Sequence, residues 1–417
     1  MKVFVTTLGC KLNYFETEAI TEGLCEAGFD IAPDMNSADT VIVNTCTVTV
    51  KADAKSRQAM RKAKRAGKFV VATGCYATTD FDELSSLDFI DLVVDNSKKY
   101  EIGSIISKGV SVADNNDFPA VTGFERTRGF VKIQDGCDKF CSYCKIPFAR
   151  QRSRSLAPDK VGQIIETLVE SGYREIVLTG VNISDYRYDN KTLASLVGEI
   201  LDIGGDWRLR LSSLQPDEFE LSLLDYLDHP RFTNHFHLSL QSGSDTVLER
   251  MNRHYTSQDF LSTVEKIRTK SPDCGITTDI IVGFPGETDK EFDATLDLVR
   301  KSGFTRVHIF GYSHRKGTRA YKLKALNGNV IRERETVLKQ LAIETSLDFV
   351  NRNVIGRAYP VLIETIGNGK ASGYTPNYFK ITTGDKGLAE NEFAIIKPVK
   401  AAIDKDGIVG LEGQLSS

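Results

Sequence analysis

The sequence predicts an α/β protein in three parts: an N-terminal open parallel α/β sheet, a central partial (β/α)6 barrel and a small C-terminal all-β domain. Three observations predict it. Apolar runs alternate with amphipathic stretches through 1–110 and again through 123–350, which implies parallel strands with helices on their faces. The polar stretch SVADNNDFPAVT at 111–122 separates the two regions and reads as a linker. From 351 to 417 the helical pattern gives way to short strands with Gly and Asn turns, as in a small β barrel or sandwich.

In the first part, KVFVTTL (2–8), TVIVN (40–44), KFVVATG (68–74) and DLVVD (91–95) are the strands. Helices are expected near 14–28, 51–66 and 80–87. In the second part, strands are expected at 129–134, 174–179, 207–212, 235–240, 276–283 and 305–310, with helices between them. Residues 331–350 form one long amphipathic helix. The last part contains RAYPVLIE, GYTPNYFKI, EFAIIKPVKAAI and GIVGLEGQ as strand segments.

The 417 residues carry a net charge of −3, with 41% hydrophobic and 26% charged residues. A dedicated duplex-DNA binder is more often clearly basic. No apolar run is long enough to span a membrane, and the N-terminus turns acidic and polar too soon for a signal peptide. Eight cysteines in so long a chain are unlike a secreted disulfide scaffold. A cytoplasmic protein is expected. Basic charge is concentrated locally: eight Lys or Arg against one Asp in 51–68, and a second run, KIPFARQRSR, from Lys145 to Arg154. Each run alone reads as a solvated face, but two, each beside a cysteine set, favour a polyanionic partner.

Six of the eight cysteines fall into two sets. Cys137, Cys141 and Cys144 are spaced CxxxCxxC on one loop after the first barrel strand, at the end where barrel chemistry sits. Three thiolates so spaced can hold three irons of a 4Fe–4S cube and leave the fourth iron open. Structural zinc wants four protein ligands, and no second CxxC or HxxxH pair exists. Cys10, Cys46 and Cys75 each follow a predicted strand by one to three residues. In an open parallel sheet those ends meet in one crevice, so these three are expected to converge on a second iron–sulfur cluster. The bland alternative is ordinary buried cysteine. Cys25 and Cys274 read as structural.

TTLGCKLNYFETE, VNTCTVT, ATGCYA, QDGCDKFCSYCKIPFAR, HLSLQSGSDTVLERMNRHYT, DIIVGFPGET and GYTPNYFK together resemble the radical S-adenosylmethionine (SAM) methylthiotransferase family over essentially the whole chain. The opening LGCKLNYFETE resembles its MtaB branch, which acts on N6-threonylcarbamoyladenosine in tRNA. The resemblance implies a domain with a three-cysteine auxiliary cluster (1–110), a radical SAM core (123–350) and an RNA-binding TRAM domain (351–417). It implies two iron–sulfur clusters, the auxiliary one 4Fe–4S or three-iron. It also implies two SAM molecules, a one-electron reductant, and methylthio insertion at C2 of the adenine beside the anticodon. A monomer is expected.

Polar and Gly-rich strand ends make Gln241, Ser242, Gly243, Arg253 and Asp279 the candidate SAM contacts. Arg57, Arg61, Arg65, Arg150, Arg152, Arg154, Tyr374 and Tyr378 are the candidate RNA contacts. Arg150, Arg152, Arg154, Arg315 and Arg319 are the cations offered to the threonylcarbamoyl carboxylate. Gln151 stands where the family usually has Gly, and Gln215 where it often has Glu. Two other classes stay open: the same chemistry on an aspartate of ribosomal protein S12, and a non-enzymatic iron–sulfur or zinc RNA-binding protein.

Overall fold

The computed structural model describes residues 1–108, 118–124 and 127–416. Among them no helix is long and apolar enough to cross a membrane. The first part is a five-stranded parallel sheet in the order Asp30–Ile31, Lys2–Thr7, Thr40–Thr45, Phe69–Gly74, Leu92–Val93. The four strands expected from the apolar runs are present, and a two-residue edge strand at Asp30–Ile31 is added. Successive residues of a strand point to opposite faces. Val41 and Val43 thus pack with Met60 and Ala63 of the helix Val50–Arg65, while Ile42 packs with Ile20 and Leu24 of the helix Lys11–Glu26. The central strand is buried throughout and pairs with a neighbour on each side.

The central part has six parallel strands: Arg128–Lys132, Glu175–Thr179, Arg208–Leu211, His235–Leu238, Gly275–Val282 and Arg306–Gly311. The third divides its pairing. Arg208–Leu211 pairs with Glu175–Thr179, and Ser213–Leu214 pairs with His235–Leu238. The sheet therefore turns a corner at Ser212. Capping boxes at Thr192, Thr256 and Thr288 start three of the outer helices by satisfying amide donors that the first turn leaves free. The long helix, Gly328–Asn353, covers the last strand and leads into the terminal domain.

That domain is a closed five-stranded barrel in the order Tyr359–Gly367, Lys370–Tyr374, Lys380–Gly384, Val409–Leu415, Phe393–Ile403. The expected segment GYTPNYFKI is two strands, not one, because Thr375–Phe379 makes a turn with Tyr378 at φ 70°. The turn seats against the N-terminal ends of the central strands. Arg210 donates to the carbonyls of Pro376 (3.0 Å) and Thr375 (3.3 Å), and Arg208 to those of Pro360 (2.9 Å) and Tyr374 (2.8 Å). A Cβ on Gly275 would stand 2.2 Å from the Asn377 carbonyl oxygen.

Glu175 anchors this joint. Its buried carboxylate meets Arg208 at 2.5 Å, Arg210 at 2.8 Å and Arg128 at 3.3 Å; Arg128 also holds Glu364 of the terminal barrel at 2.6 Å. Burial alone would raise the Glu175 pKa, but the three guanidinium groups hold it well below the usual carboxylate range.

The linker expectation needs correction. Residues 111–117 lie outside the described residues, and 118–124 are docked rather than free. Val121 and Phe124 are buried against the core, and Glu22 accepts from the amides of Thr122 (2.9 Å) and Gly123 (3.0 Å). Composition read the polar residues and missed the two apolar anchors among them.

Glu175→Ala should leave three cations at this joint without their shared carboxylate, at a cost of about 3–5 kcal/mol. Thermal unfolding should then start with the terminal barrel, read as early loss of its near-UV tyrosine signal. Gly275→Ala, which obstructs the same contact sterically, should do likewise; a single unshifted transition in both would contradict this account.

Candidate functional site

Cys137, Cys141 and Cys144 lie on the loop between Gln134–Asp135 and the short helix Ile146–Arg150. The loop is pinned at both ends. Gly136 has φ 78°, and a Cβ there would fall 1.9 Å from the Arg152 carbonyl oxygen, so only glycine fits. Cys137 N donates to Gln151 O at 3.1 Å and Ser142 N to Met251 O at 2.9 Å. Gln151, where the family pattern has Gly, takes φ 62°. The backbone thus takes a positive φ here although the side chain is not glycine.

Arg253 donates to Cys141 Sγ at 3.4 Å and to Ser239 O at 2.9 Å. Arg253, expected as a SAM contact, thus also braces the cysteine loop. Burial pushes the thiols of Cys137 to about 11 and Cys144 to about 12. Close thiolates repel one another, so the set takes up positive charge favourably.

The second set converges as expected. A Cβ on Gly9 would approach Cys46 Cβ to 2.9 Å, so the Cys10 loop lies directly on Cys46. Cys10 and Cys75 both act on the Cys46 thiol, which burial pushes up to about 12. Asn13 accepts from Cys10 Sγ at 3.2 Å and donates to Thr45 O at 3.0 Å, while Asn44 donates to Asn13 O at 2.9 Å. These two buried asparagines fasten the first strand end to the next. Cys25 is exposed and Cys274 buried, both outside the sets.

The two sets are physically joined. The helix Cys75–Thr79 packs on the helix Ile146–Arg150, each beginning within two residues of a site cysteine. Asn96 donates to Ala149 O at 2.9 Å, with Cys75 Sγ 3.9 Å from the same nitrogen. Arg150 donates to both oxygens of Glu16 (2.6 and 2.8 Å) and to Asp135 (3.1 Å). Lys99 pairs with Glu16 and Lys132 with Asp135, completing a buried five-charge network. Burial would raise Glu16, but Arg150 and Lys99 bring it down to about 2. Arg150 is only 4% exposed, which corrects its assignment as an RNA or carboxylate contact.

Above the strand ends, a cavity is lined by Gln241, Asp279, Ile281, Tyr143 and Tyr312 of the barrel and by Val48 and Thr49 of the N-terminal part. The structure thus brings Gln241 and Asp279 together. Gln241 holds φ 68° and is fixed by backbone bonds to Asp279 and Ile281. Ser242 and Gly243 turn away from this cavity. Ser242 Oγ meets Thr295 Oγ1 at 3.4 Å, and a Cβ on Gly243 would meet Thr295 Cα at 2.5 Å. Both therefore serve close packing on the helix Asp289–Ser302. The Gln215 amide oxygen is buried without a partner.

Other candidates divide sharply. Arg315, 3% exposed, is committed to Asp53 (2.5 Å) and Thr47, which removes it as a substrate cation. Arg57 turns inward to the Tyr76 hydroxyl. Arg61 and Arg65 stay exposed, Arg61 above the Phe89 ring. Arg152 and Arg319 are exposed, and Arg154 lies 3.8 Å from Asp135. Tyr374 and Tyr378 stack on each other (5.1 Å) and under Arg128, within the joint below the barrel. Both rings, expected as RNA contacts, are half-buried there. Asn13, Asn96 and Glu16 escaped sequence reasoning. The available signal was polar residues on the apolar face of the helix Lys11–Glu26.

Donor chemistry tests which metal group fits. Each set offers three soft thiols. Among the described residues, no three His, Cys, Asp or Glu side chains converge tightly enough to chelate one ion. Mononuclear zinc needs such convergence. A cluster in which every thiolate binds its own iron needs the thiols apart. Three soft thiols per set match the donor chemistry that iron–sulfur clusters use.

Comparison with known proteins agrees with this geometry. The radical SAM superfamily matches residues 131–299, and the uncharacterized protein family UPF0004 matches 2–95. The chain is 38% identical to a threonylcarbamoyladenosine tRNA methylthiotransferase MtaB from Aquifex aeolicus, covering 85% of this chain and 90% of that one. It is 37% identical to MtaB from Bacillus subtilis, covering 98% and 95%. A tRNA-2-methylthio-N(6)-dimethylallyladenosine synthase from Cereibacter sphaeroides is 34% identical, covering 92% and 93%. Among solved structures, the radical SAM methyltransferase TsrM from Kitasatospora setae shares the fold, with a TM-score of 0.56 at 17% identity over 74% and 72% of the chains.

Glu16→Gln should destabilise the joint between the two cysteine sets by about 3–5 kcal/mol at neutral pH. The sign follows from linkage. The Glu16 pKa is depressed in the folded protein, so its contribution is fully present above its ordinary 4.5 and is lost as pH falls toward about 2. The stability gap between wild type and variant, measured by denaturant unfolding, should therefore narrow through that window. A gap independent of pH would contradict this role.

Proposed function

This chain belongs to the radical SAM methylthiotransferase family that includes the MtaB enzymes, and from that premise we propose that it inserts a methylthio group at C2 of N6-threonylcarbamoyladenosine next to the tRNA anticodon. It is a radical SAM enzyme of tRNA methylthiolation. The observation that carries the finer reading is the packing of the helix that begins at Cys75 on the helix that follows Cys144, with one cavity lined by both of the domains that bear the two cysteine sets. A single-cluster protein has no use for the second triad.

Cys137, Cys141 and Cys144 would hold a 4Fe–4S cluster, and Cys10, Cys46 and Cys75 a second one. When bound, these groups supply the electron that cleaves SAM to a 5′-deoxyadenosyl radical and the sulfur that is methylated and delivered to C2, an unactivated carbon closed to polar substitution. The chain's residues supply position and dryness. Arg253 and Gly136 fix the loop of the first set; Asn13, Asn44 and Gly9 fix that of the second. Gln241 and Asp279 offer an amide and a carboxylate to the polar groups of SAM. Burial lowers His308 to about 4, leaving a neutral imidazole beside Asp279. Val48 and Thr49 line the cavity from the N-terminal part.

The base must leave its stack to enter, and an anticodon loop lowers that cost because its bases are unpaired. The exposed cations of the helix Val50–Arg65 are taken as the grip on the RNA backbone, together with residues 351–417 as a TRAM domain. Residues 1–110 and 123–350 are the methylthiotransferase and radical SAM units. A cellular one-electron reductant is required, and a reducing cytoplasm suits the thiols.

Replacing Cys137, Cys141 and Cys144 together by Ala should abolish reductive SAM cleavage. Replacing Cys10, Cys46 and Cys75 should abolish methylthiolation while cleavage of SAM stays measurable. Nucleoside mass analysis of tRNA reads the product; normal methylthiolation by the second triple variant would refute the proposal.

Charge reversal at Arg61 and Arg65 should weaken tRNA binding at least tenfold at low salt. It should also lower the slope of log affinity against log salt by about two, because two fewer counterions are displaced. An unchanged slope would return this helix to a solvated face.

A further inference from the structure

The interior of the central barrel is polar. His235 Nε2 lies 3.0 Å and His237 Nδ1 2.9 Å from Thr277 Oγ1, and His237 Nε2 lies 3.1 Å from Asp279. The His308 ring stands 5.7 Å from that of His237. The Tyr378 ring closes the lower end, 4.7 Å from His235.

One side chain enters this space from the other domain. Lys11, the residue after Cys10, holds its ammonium 5.4 Å from the centre of the Tyr378 ring. Its charge reaches His235 and His308 as well. Burial would raise the Tyr378 hydroxyl, but Lys11, Arg128 and Arg210 bring it down to about 8. Lys11 remains open to solvent. It has no ion pair among the described residues, whereas Arg128, Arg208 and Arg210 are claimed by Glu175. Arg306, two residues before His308 on the same strand face, lines a cleft with His308, with Lys339 of the long helix and with Gly407 of the terminal barrel. A polar lumen with an unclaimed ammonium is electrostatically prepared for an anion.

We propose that Lys11 binds the carboxylate of the substrate's N6 substituent inside this lumen and so selects a threonylcarbamoyl group over an apolar one. The assignment rests on the function proposed above. Adenine geometry supports it. C2 and N6 flank N1 on one edge of the base, so the sulfur donor and the reader of the N6 group must be close neighbours. Cys10 and Lys11 are adjacent residues at the start of one helix. The Tyr378 hydroxyl and the neutral ring of His308 stand beside Lys11 as partners for the substituent's hydroxyl and amide groups. Lys11 is thus a specificity-determining residue.

The test uses reconstituted enzyme and an anticodon stem-loop bearing either N6-threonylcarbamoyladenosine or its carboxylate methyl ester. Affinity and kcat/KM are both measured. Wild type should favour the acid about 10- to 100-fold, the size of a charge-assisted contact. Lys11→Gln should bind and turn over acid and ester alike, and Lys11→Arg should restore the preference. A preference that survives in Lys11→Gln overturns the assignment, as does one missing in wild type that otherwise methylthiolates the acid. Wild type that ignores both forms yet modifies isopentenylated RNA overturns the underlying function instead. Stem-loop affinity is read independently of cluster loading, so a poorly loaded variant still gives an answer.

Discussion

One guanidinium group holds the working geometry together. Arg150 closes the helix that follows the CxxxCxxC loop, and its fork grips Glu16, six residues after Cys10. Through that grip the two α/β units, which also share one hydrophobic cluster, are brought into fixed relation. An ion pair in bulk water would be too weak to set such a register. Here all five charges of the network are buried, so separating any of them leaves a charge without compensation. The register of the two triads of thiols depends on this stiffness.

The same device recurs at the lower joint, where Glu175 gathers three arginines and the terminal barrel seats on them. Both joints spend charged side chains that composition would assign to the surface. That explains why the basic runs were only half informative. Arg150 of the second run turned out to be an internal fastener, as did Arg315 outside both runs, while Arg61, Arg65 and Arg152 kept their solvent exposure.

Much of the fold was legible because local pattern decides it. Ten apolar runs became strands near their expected limits, and the long helix extended by a few residues at each end. The cysteine sets were legible because spacing and strand-end position are sequence properties. What stayed hidden were partnerships across long separations: Glu16 with Arg150, Asp53 with Arg315, Tyr378 with Lys11. No periodicity carries such information. Ser242 and Gly243 misled for a related reason. A Gly–Ser strand end looks the same whether it faces a ligand or makes room for a helix, and Thr295 decides the matter from 52 residues away. The break of the barrel at Ser212 and the turn at Thr375–Phe379 were likewise invisible, since each depends on what packs behind it.

The seat of the terminal barrel also bears on how the molecule is made. A ribosome releases the central strands well before residues 375–379, so Arg208 and Arg210 emerge while the carbonyls they will bond are still untranslated. Domains tend to fold in the order of their synthesis. The nascent core must therefore pass through a stage in which its floor is open and water reaches the underside of the lumen. Sealing is the final act of assembly, and it places Tyr378 beneath Lys11 at the same moment. A chain interrupted late in translation would carry all six site cysteines yet lack the base of its chamber, exposing oxygen-sensitive metal chemistry from below.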